Sequence, residues 1–203
     1  GSHDVTVKDA FVPAYRTHRS KDGFAATNPG AKSNPGPLYK LPFGQVFVRA
    51  VSSSSIGALQ GALDIFRETG AKRKSNNTLT SISGDPDVQT LLAETQSAID
   101  EMKTVLCRNF GVLNDFARRG DQADLDTRLR FRFQSAQISG RCCELISRMF
   151  YLSGADGIYR GNPIARTFCD IHTGRTHVAN NPNTVGRNVG AVMLGGPNTD
   201  SFI

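Results

Sequence analysis

The chain of 203 residues lacks any apolar run long enough to cross a membrane, and it does not open with a charged segment that leads into an apolar one. A membrane-spanning helix needs roughly 18 or more consecutive apolar residues, and a secretory signal needs that charged-to-apolar order. We therefore expect a soluble, cytoplasmic protein with no membrane partner.

The spacing of cysteines that is typical of zinc sites is also missing. Cys107, Cys142, Cys143 and Cys169 fall within helical patterns, and the adjacent pair points to different sides of a helix. We expect reduced thiols and no bound metal.

Basic residues outnumber acidic ones, which gives a net charge of +6 and raises the question of nucleic-acid binding. Residues 72–74 and 128–133 are the best local support for it. Arginines spaced two apart on a helix spread over more than one face, and no known nucleic-acid motif accompanies them. We interpret these residues as solvated or subunit-facing surface and expect no nucleic-acid partner.

The chain divides into three parts. Residues 1–3 match the scar of a removed expression tag, which suggests an engineered piece of a longer protein. Residues 4–19 alternate polar and apolar side chains around Val5, Val7 and Phe11, which predicts a β-strand, and the glycines and prolines that follow predict a connector. We interpret residues 4–42 as the remnant of a preceding β-domain with its linker, and residues 43–203 as a helical domain with a C-terminal tail.

Helical periodicity begins after Pro42. It predicts one helix over residues 43–74, a second from Pro86 to about residue 119, a third over about 124–154 and a fourth from Pro163. Helices of roughly 30 residues are about 45 Å long and stay compact only side by side. We predict an all-α, up-down four-helix bundle that carries a short N-terminal strand and loop arm.

Residues 152–170 have the sequence LSGADGIYRGNPIARTFCD. This segment resembles the acyl-CoA dehydrogenase signature, in which a glycine-rich turn precedes proline, two residues, arginine and then an Arg-Asp pair. Pro163, Arg166 and Asp170 match, whereas Cys169 stands where the family usually has arginine. The resemblance implies the C-terminal domain of that fold, with Arg166 and Asp170 as parts of a structural motif.

The segments DIHTGRTHVANN (170–181) and NTDSFI (198–203) resemble one branch more closely. They are similar to the oxygenase components of two-component flavin-dependent aromatic hydroxylases, of the p-hydroxyphenylacetate and seco-steroid phenol type. The resemblance implies a monooxygenase that hydroxylates a phenolic substrate through a flavin hydroperoxide. It implies reduced FMN or FAD from a separate reductase, and a homo-oligomer, expected to be a tetramer. The family's other domains complete the flavin site, so we expect this chain alone to be inactive.

His177 matches the histidine that faces the substrate in that branch. Histidine suits the handling of a phenol proton because imidazole changes its protonation near neutral pH. Helical steps of four, three and four would place Arg166, Asp170, Thr173 and His177 on one face, whereas His172 points elsewhere and is expected to be structural. The alternative is a surface histidine near a helix C-terminus, where a cation is also favourable.

Two further residues match flavin-binding positions of the wider family. Arg73 matches an arginine that reaches the flavin diphosphate of a neighbouring subunit, and Gln89 matches the glutamine that assists it. A guanidinium suits a phosphate. The alternative is a solvated basic turn, because Arg73-Lys74-Ser75-Asn76 replaces the usual family motif.

Three other functions remain open. An acyl-CoA dehydrogenase needs a glutamate base, but the chain has only Glu68, Glu94, Glu101 and Glu144, so both usual positions of that base are empty. Oxygenases that act on nitrogen, sulfur or indole carbon share the scaffold, and a bundle can also serve oligomerisation alone.

Overall fold

The computed structural model describes residues 3–75 and 79–203. Within these residues the secondary structure is helical, with short 3-10 turns and a single isolated bridge between Lys74 and Ser81. The helices are α1 (Ser20–Phe24), α2 (Gly30–Ser33), α3 (Phe43–Gly70), α4 (Pro86–Arg118), α5 (Leu125–Leu152), α6 (Pro163–Arg175) and α7 (Pro182–Met193). None of the helices in the described parts of the chain is long and apolar enough to cross a membrane.

Side-chain caps fix where most of the longer helices begin. The carboxylate of Asp85 accepts hydrogen bonds from the N–H groups of Asp87 and Val88, and Asp124 accepts one from Thr127. Asparagines cap α6 and α7 in the same way, and a proline follows the cap in α4, α6 and α7. These residues satisfy N–H groups that have no partner in the first helical turn, so the boundaries follow from local sequence.

The helices form an up-down bundle in which α3 and α5 run parallel. Serine pairs join them at close range: Ser52 with Ser135 at 2.8 Å and Ser55 with Ser139 at 3.0 Å between hydroxyl oxygens. Helix α4 runs antiparallel to both, and α6 packs against both as well. The small serine side chains allow α3 and α5 to approach closely at the centre of the bundle.

The two ends of this bundle differ in chemistry. One half has an apolar core that includes Leu59, Phe66, Ile99, Ile146 and Met149, all essentially inaccessible to solvent. The other half buries polar side chains, which we call the polar layer: Gln45, Arg49, Ser52, Asn109, Arg132, Ser135 and Asn180. The apolar half therefore provides burial, and the polar layer provides specific hydrogen bonds.

The predicted all-α bundle is confirmed, and the first three long helices end within a few residues of their expected limits. The predicted N-terminal strand is wrong. Val5, Val7 and Phe11 lie in coil with exposed fractions of 83%, 70% and 89%, and no neighbouring strand is present among the described residues. A polar–apolar alternation becomes a strand only where a second strand pairs with it. The expected connector contains the short helices α1 and α2.

The fourth helix of the bundle is split. Helix α6 ends at Arg175, a turn spans residues 176–181, and α7 resumes alongside α5. Pro182 has no N–H and disfavours helical backbone at Asn181, while the Thr176 hydroxyl donates to the Thr173 carbonyl at 2.7 Å. The expected helical face through residue 177 is therefore wrong, because His177 lies beyond the end of α6.

Candidate functional site

The turn between α6 and α7 is held by hydrogen bonds from several directions. The Asn180 side chain donates to the Gly174 carbonyl at 2.8 Å, and Arg175 donates to the Asn180 carbonyl at 2.7 Å. From α5, the buried Arg132 donates to the Ala179 carbonyl, also at 2.7 Å. Ordered backbone of this kind can hold a side chain in one orientation outside a helix.

His177 is the side chain that this turn presents. Its Nδ1 accepts a hydrogen bond from the Ala179 N–H at 3.1 Å, so the neutral ring carries its proton on Nε2. The residue is half-buried, and Nε2 makes no hydrogen bond to any residue that the structure describes. Nε2 is therefore the ring atom left for a bound molecule.

Four phenylalanines, Phe24, Phe43, Phe47 and Phe202, form an aromatic wall beside His177. The ring of Phe47 meets the imidazole edge-on, with centroids 5.6 Å apart, and stacks on Phe43 at 5.1 Å. Phe202 contacts Phe47 at 6.1 Å and Phe24 at 5.4 Å. These distances are typical of aromatic pairs, so the wall is a packed apolar surface next to a polar ring atom.

Part of the aromatic wall also lines a cleft of about 660 Å³. Phe24 and Phe43 form one side of it, and residues 15–30 form most of the remainder. His177 does not line this cleft and is connected to it through Phe47, which stacks on Phe43.

The C-terminal tail, residues 198–203, closes over the same end of the bundle. Gln45 donates from Nε2 to the Phe202 carbonyl at 2.8 Å, and the Phe202 backbone passes so close to Gly44 that a Cβ there would lie 2.8 Å from it. Asp200 pairs with Arg132, with 3.2 Å between Oδ2 and Nε. The tail is thus attached to both α3 and α5.

Two arginines are buried in this region. Burial, together with the nearby Arg132 charge, lowers the pKa of Arg49 to about 10. Burial also lowers the pKa of Arg132, whereas the Asp200 carboxylate raises it. Arg49 donates to the Gln45 carbonyl, but its Nε and Nη2 are buried without a partner among the described residues. Both guanidiniums remain charged at neutral pH, and the two are like charges in a low-dielectric setting.

Arg73 lies beyond the C-terminus of α3, at the opposite end of the bundle from His177. It donates to the carbonyls of Leu152 and Ser153, both at 2.6 Å, and its Nε lies 3.9 Å from the Asp156 carboxylate. It therefore caps the last turn of α5, where a cation is favourable. A cleft of about 500 Å³ beside it is also lined by Lys74.

Gln89 and the Arg166–Asp170 pair lie at the surface. The Gln89 amide donates to the Ser83 carbonyl at 2.9 Å in the first turn of α4. Arg166 and Asp170 form an exposed pair on α6, with 3.7 Å between Nε and Oδ2 and side chains 86% and 65% accessible. The structure does not bring Arg73, Gln89, Arg166 and His177 together in one chain.

Comparison with known protein families identifies the family of this chain. The family described as acyl-CoA dehydrogenase, C-terminal domain, matches residues 50–182. The chain belongs to this family. The matched segment of this C-terminal domain runs from α3 to the start of α7 and includes the His177 turn.

One relative of this C-terminal domain is a flavin-dependent monooxygenase by name, and one similar solved structure is a hydroxylase by name. The flavin-dependent monooxygenase oxygenase subunit HsaA of Rhodococcus jostii is 32% identical over 206 residues, which cover the whole chain and 53% of the relative. The crystal structure of 3-HSA hydroxylase from Rhodococcus sp. RHA1 is 30% identical, with a TM-score of 0.87 over 97% of this chain and 51% of that one.

A more distant relative is the indole-3-acetate monooxygenase of Pseudomonas putida, 24% identical over 196 residues, which cover 96% of the chain and 48% of the relative. The chain thus spans about half the length of the relatives that it matches.

Sequence reasoning missed the residues that support the His177 turn in this C-terminal domain. Arg132 belongs to the basic segment interpreted as surface, but its side chain is only 3% accessible. That interpretation is wrong for Arg132 because its partners, Asp200 and Ala179, are 68 and 47 residues away in sequence. The one signal in the sequence is the acidic residue of the tail, Asp200, which can pair with a buried arginine.

Proposed function

We propose that this domain is the C-terminal half of a flavin-dependent monooxygenase, the oxygenase component that hydroxylates a phenolic ring. The observation that carries the proposal is the geometry of His177, with Nδ1 occupied by the Ala179 N–H and Nε2 left over beside an aromatic wall. A phenol needs an apolar surface for its ring and one polar group for its hydroxyl.

His177 is assigned the oxygen of that hydroxyl. The phenol would bind as its phenolate, with its proton released to solvent, and the neutral ring would donate a hydrogen bond from Nε2 to the phenolate oxygen, while the Ala179 N–H holds the ring in this orientation. Phe47 meets the imidazole edge-on and restricts the ring further. Reduced FMN or FAD would supply the electrophilic oxygen after reaction with dioxygen.

The predicted flavin-phosphate position at Arg73 lies far from the predicted substrate position at His177, and this distance supports a site shared between subunits. Helix α3 has 28 residues and therefore spans about 42 Å, with Phe47 near its start and Arg73 just beyond its end. One flavin cannot reach both. Arg73 and Gln89 would serve a phosphate group in a site completed by another copy, as expected for a tetramer.

The chemistry at the Arg73 end suits a diphosphate in part. Lys74 and Arg73 both line the cleft, and Lys74 is exposed there. The two Nη atoms of Arg73 already donate to backbone carbonyls. Lys74 is thus the cation more open to a phosphate. A separate reductase is the proposed source of the reduced flavin, and a small aromatic molecule is the proposed substrate.

The glutamates of the chain disfavour acyl-CoA dehydrogenation. All four of them, Glu68, Glu94, Glu101 and Glu144, are solvent-exposed, and none lines the cleft beside the aromatic wall. A base that removes an α-proton must lie within hydrogen-bond reach of it. Hydroxylation of an indole carbon remains the second candidate, because the Pseudomonas putida relative is an indole-3-acetate monooxygenase.

The test is turnover of simple phenols by the full-length protein with externally reduced flavin. His177→Asn removes the imidazole but keeps a side-chain oxygen that can accept from the Ala179 N–H, so the turn should survive. We expect the yield of hydroxylated product per reduced flavin to fall by about 100-fold and peroxide to rise, since the loss of one positioned hydrogen-bond donor to a charged oxygen costs about 10²–10³-fold.

His172→Gln is the matched control, because His172 bonds Ser147 at 3.0 Å and packs on Phe168, away from the aromatic wall. It should retain the native product yield. Native yield in His177→Asn would reject the role of His177. Desaturation of an acyl-CoA, with no phenol hydroxylated, would reject the monooxygenase proposal as a whole.

A further inference from the structure

The C-terminal tail and the His177 turn share one buried side chain. Arg132 donates from Nε to Asp200 in the tail at 3.2 Å, and from Nη1 to the Ala179 carbonyl in the turn at 2.7 Å. Ala179 is also the residue whose N–H fixes Nδ1 of His177. A planar guanidinium with fixed donor directions therefore joins the two segments rigidly.

The tail is also anchored independently of Arg132. The Asn188 side chain of α7 accepts from the Thr199 N–H at 2.7 Å and donates to Asn198 at 2.8 Å. Within the tail, the Phe202 N–H donates to the Asp200 carboxylate at 2.9 Å, which brings the Phe202 ring onto Phe47. The tail thus connects α7, α5 and the aromatic wall.

We propose that the C-terminal tail positions His177 for hydroxylation, and that Arg132 and Asp200 are the positioning residues that transmit its placement to the turn. The inference rests on the proposed function, because it assigns the tail to the site of His177. Arg132 and Asp200 do not touch substrate in this arrangement; they act through Ala179 and Phe202.

Electrostatics give the Asp200 carboxylate a second task. Arg49 and Arg132 are like charges buried in the same layer, and Asp200 is the carboxylate in contact with Arg132. If that negative charge is removed, no other carboxylate of the described residues pairs with Arg132 to offset the repulsion, and its guanidinium is driven towards solvent. Its hydrogen bond to the Ala179 carbonyl would then be lost together with the ion pair.

Hydrogen exchange in the full-length protein tests the structural half of the proposal. In Asp200→Asn we expect the amides of the 176–181 turn, and that of Ala179 in particular, to exchange roughly tenfold faster or more, as local opening becomes easier. Asp170→Asn is the matched control: it removes a carboxylate from an exposed arginine pair, and the turn should exchange as in the native protein.

A milder variant protects the test against misfolding. Asn198→Ala removes the bond to Asn188 and two bonds to the Asp200 backbone, but it leaves the charges of Asp200 and Arg132 in place, so it should loosen the turn in the same direction by a smaller factor. If exchange rises only within residues 198–203 in both variants and the turn is unchanged, the tail does not hold His177 and the proposal is overturned.

Product yield per reduced flavin tests the functional half. Asp200→Asn should lower the yield several-fold with flavin binding unchanged, and Asp200→Glu, which keeps the carboxylate, should recover most of it. Suppose that His177→Asn forms peroxide in place of product, and that Asp200→Asn loosens the turn but keeps the native yield. That result would overturn the positioning role. Native yield in His177→Asn would count against the proposed function instead, and exchange alone would then decide whether the tail holds the turn.

Discussion

The two halves of the bundle are built from the same helices but differ in the chemistry of their interiors. Around Phe66, Ile99 and Ile146 the interior is apolar and closely packed, and the helices there carry little chemistry. Around Arg49, Ser52 and Arg132 the interior is polar, and directional hydrogen bonds join the elements there. The first half can change side chains of similar volume with modest loss, whereas the second depends on particular partners.

This contrast indicates where stability and where positional accuracy originate. Apolar burial contributes free energy in proportion to area and is indifferent to direction. Buried polar groups contribute little net free energy, but an incorrect arrangement leaves some of them without partners and is therefore penalised. The aromatic wall and His177 lie next to the polar layer, where the backbone must be held in one arrangement.

The largest expected effect is in the apolar half. Ile146→Ala should lower the free energy of unfolding by about 3 kcal/mol, because the side chain is fully buried and the cavity cannot close. Chemical denaturation provides the measurement. Ile158→Ala, at a site 75% exposed, is the matched control and should change it by less than about 0.5 kcal/mol. Equal losses at both sites would contradict the assignment of stability to this core.

A smaller effect, of opposite sign, is expected in the polar layer. Arg49→Met should leave the unfolding free energy at pH 7 unchanged or raise it by up to about 2 kcal/mol, because it removes a buried charge whose Nε and Nη2 lack partners. Burial lowers the pKa of Arg49 to about 10, below its ordinary value, so native stability rises as the pH rises above about 10.

The advantage of the methionine should therefore be full below pH 10 and shrink above it. Comparing denaturation midpoints of the two proteins at pH 7 and at pH 10.5 checks the sign. A loss of several kcal/mol at pH 7 would mean that Arg49 has a partner essential to the fold.

The smallest effect is expected at the surface, outside both halves. Arg166→Ala breaks an exposed pair with Asp170 and should change the unfolding free energy by less than about 0.5 kcal/mol, since such pairs are well solvated. Thermal or urea denaturation at low and high salt measures it. A larger loss that disappears in salt would show that the family motif at this position has a stabilising role that its exposure does not suggest.

Local sequence was sufficient to predict the three long helices α3, α4 and α5 and the start of α6. Caps such as Asp85 and Asn162, each followed by proline, act over a few residues, and the apolar periodicity selects the buried faces. The polar layer could not be predicted in this way, because Gln45 and Phe202 are 157 residues apart and only the fold brings them together. The prediction of a strand around Val7 was wrong for a related reason, because a strand requires a second strand to pair with.

The candidate site was predictable to a lesser extent. His177 was selected by resemblance to a family, and its position after a helix was missed because a helical spacing argument assumes an unbroken helix. Pro182 was a signal for the break, but the backbone leaves helical geometry already at His177, five residues earlier. The supporting roles of Arg132 and Asp200 required knowledge of how the tail folds back.

The close passage of Phe202 over Gly44 has a consequence for reading related sequences. A methyl group at position 44 would lie 2.8 Å from backbone atoms of Phe202. The backbone of the helix and that of the tail cannot move aside as a flexible side chain could. Only glycine is compatible with a docked tail. In a homologue that carries alanine or a larger residue here, the end of the chain must follow another course. The residue type at position 44 therefore indicates whether the tail docks on α3.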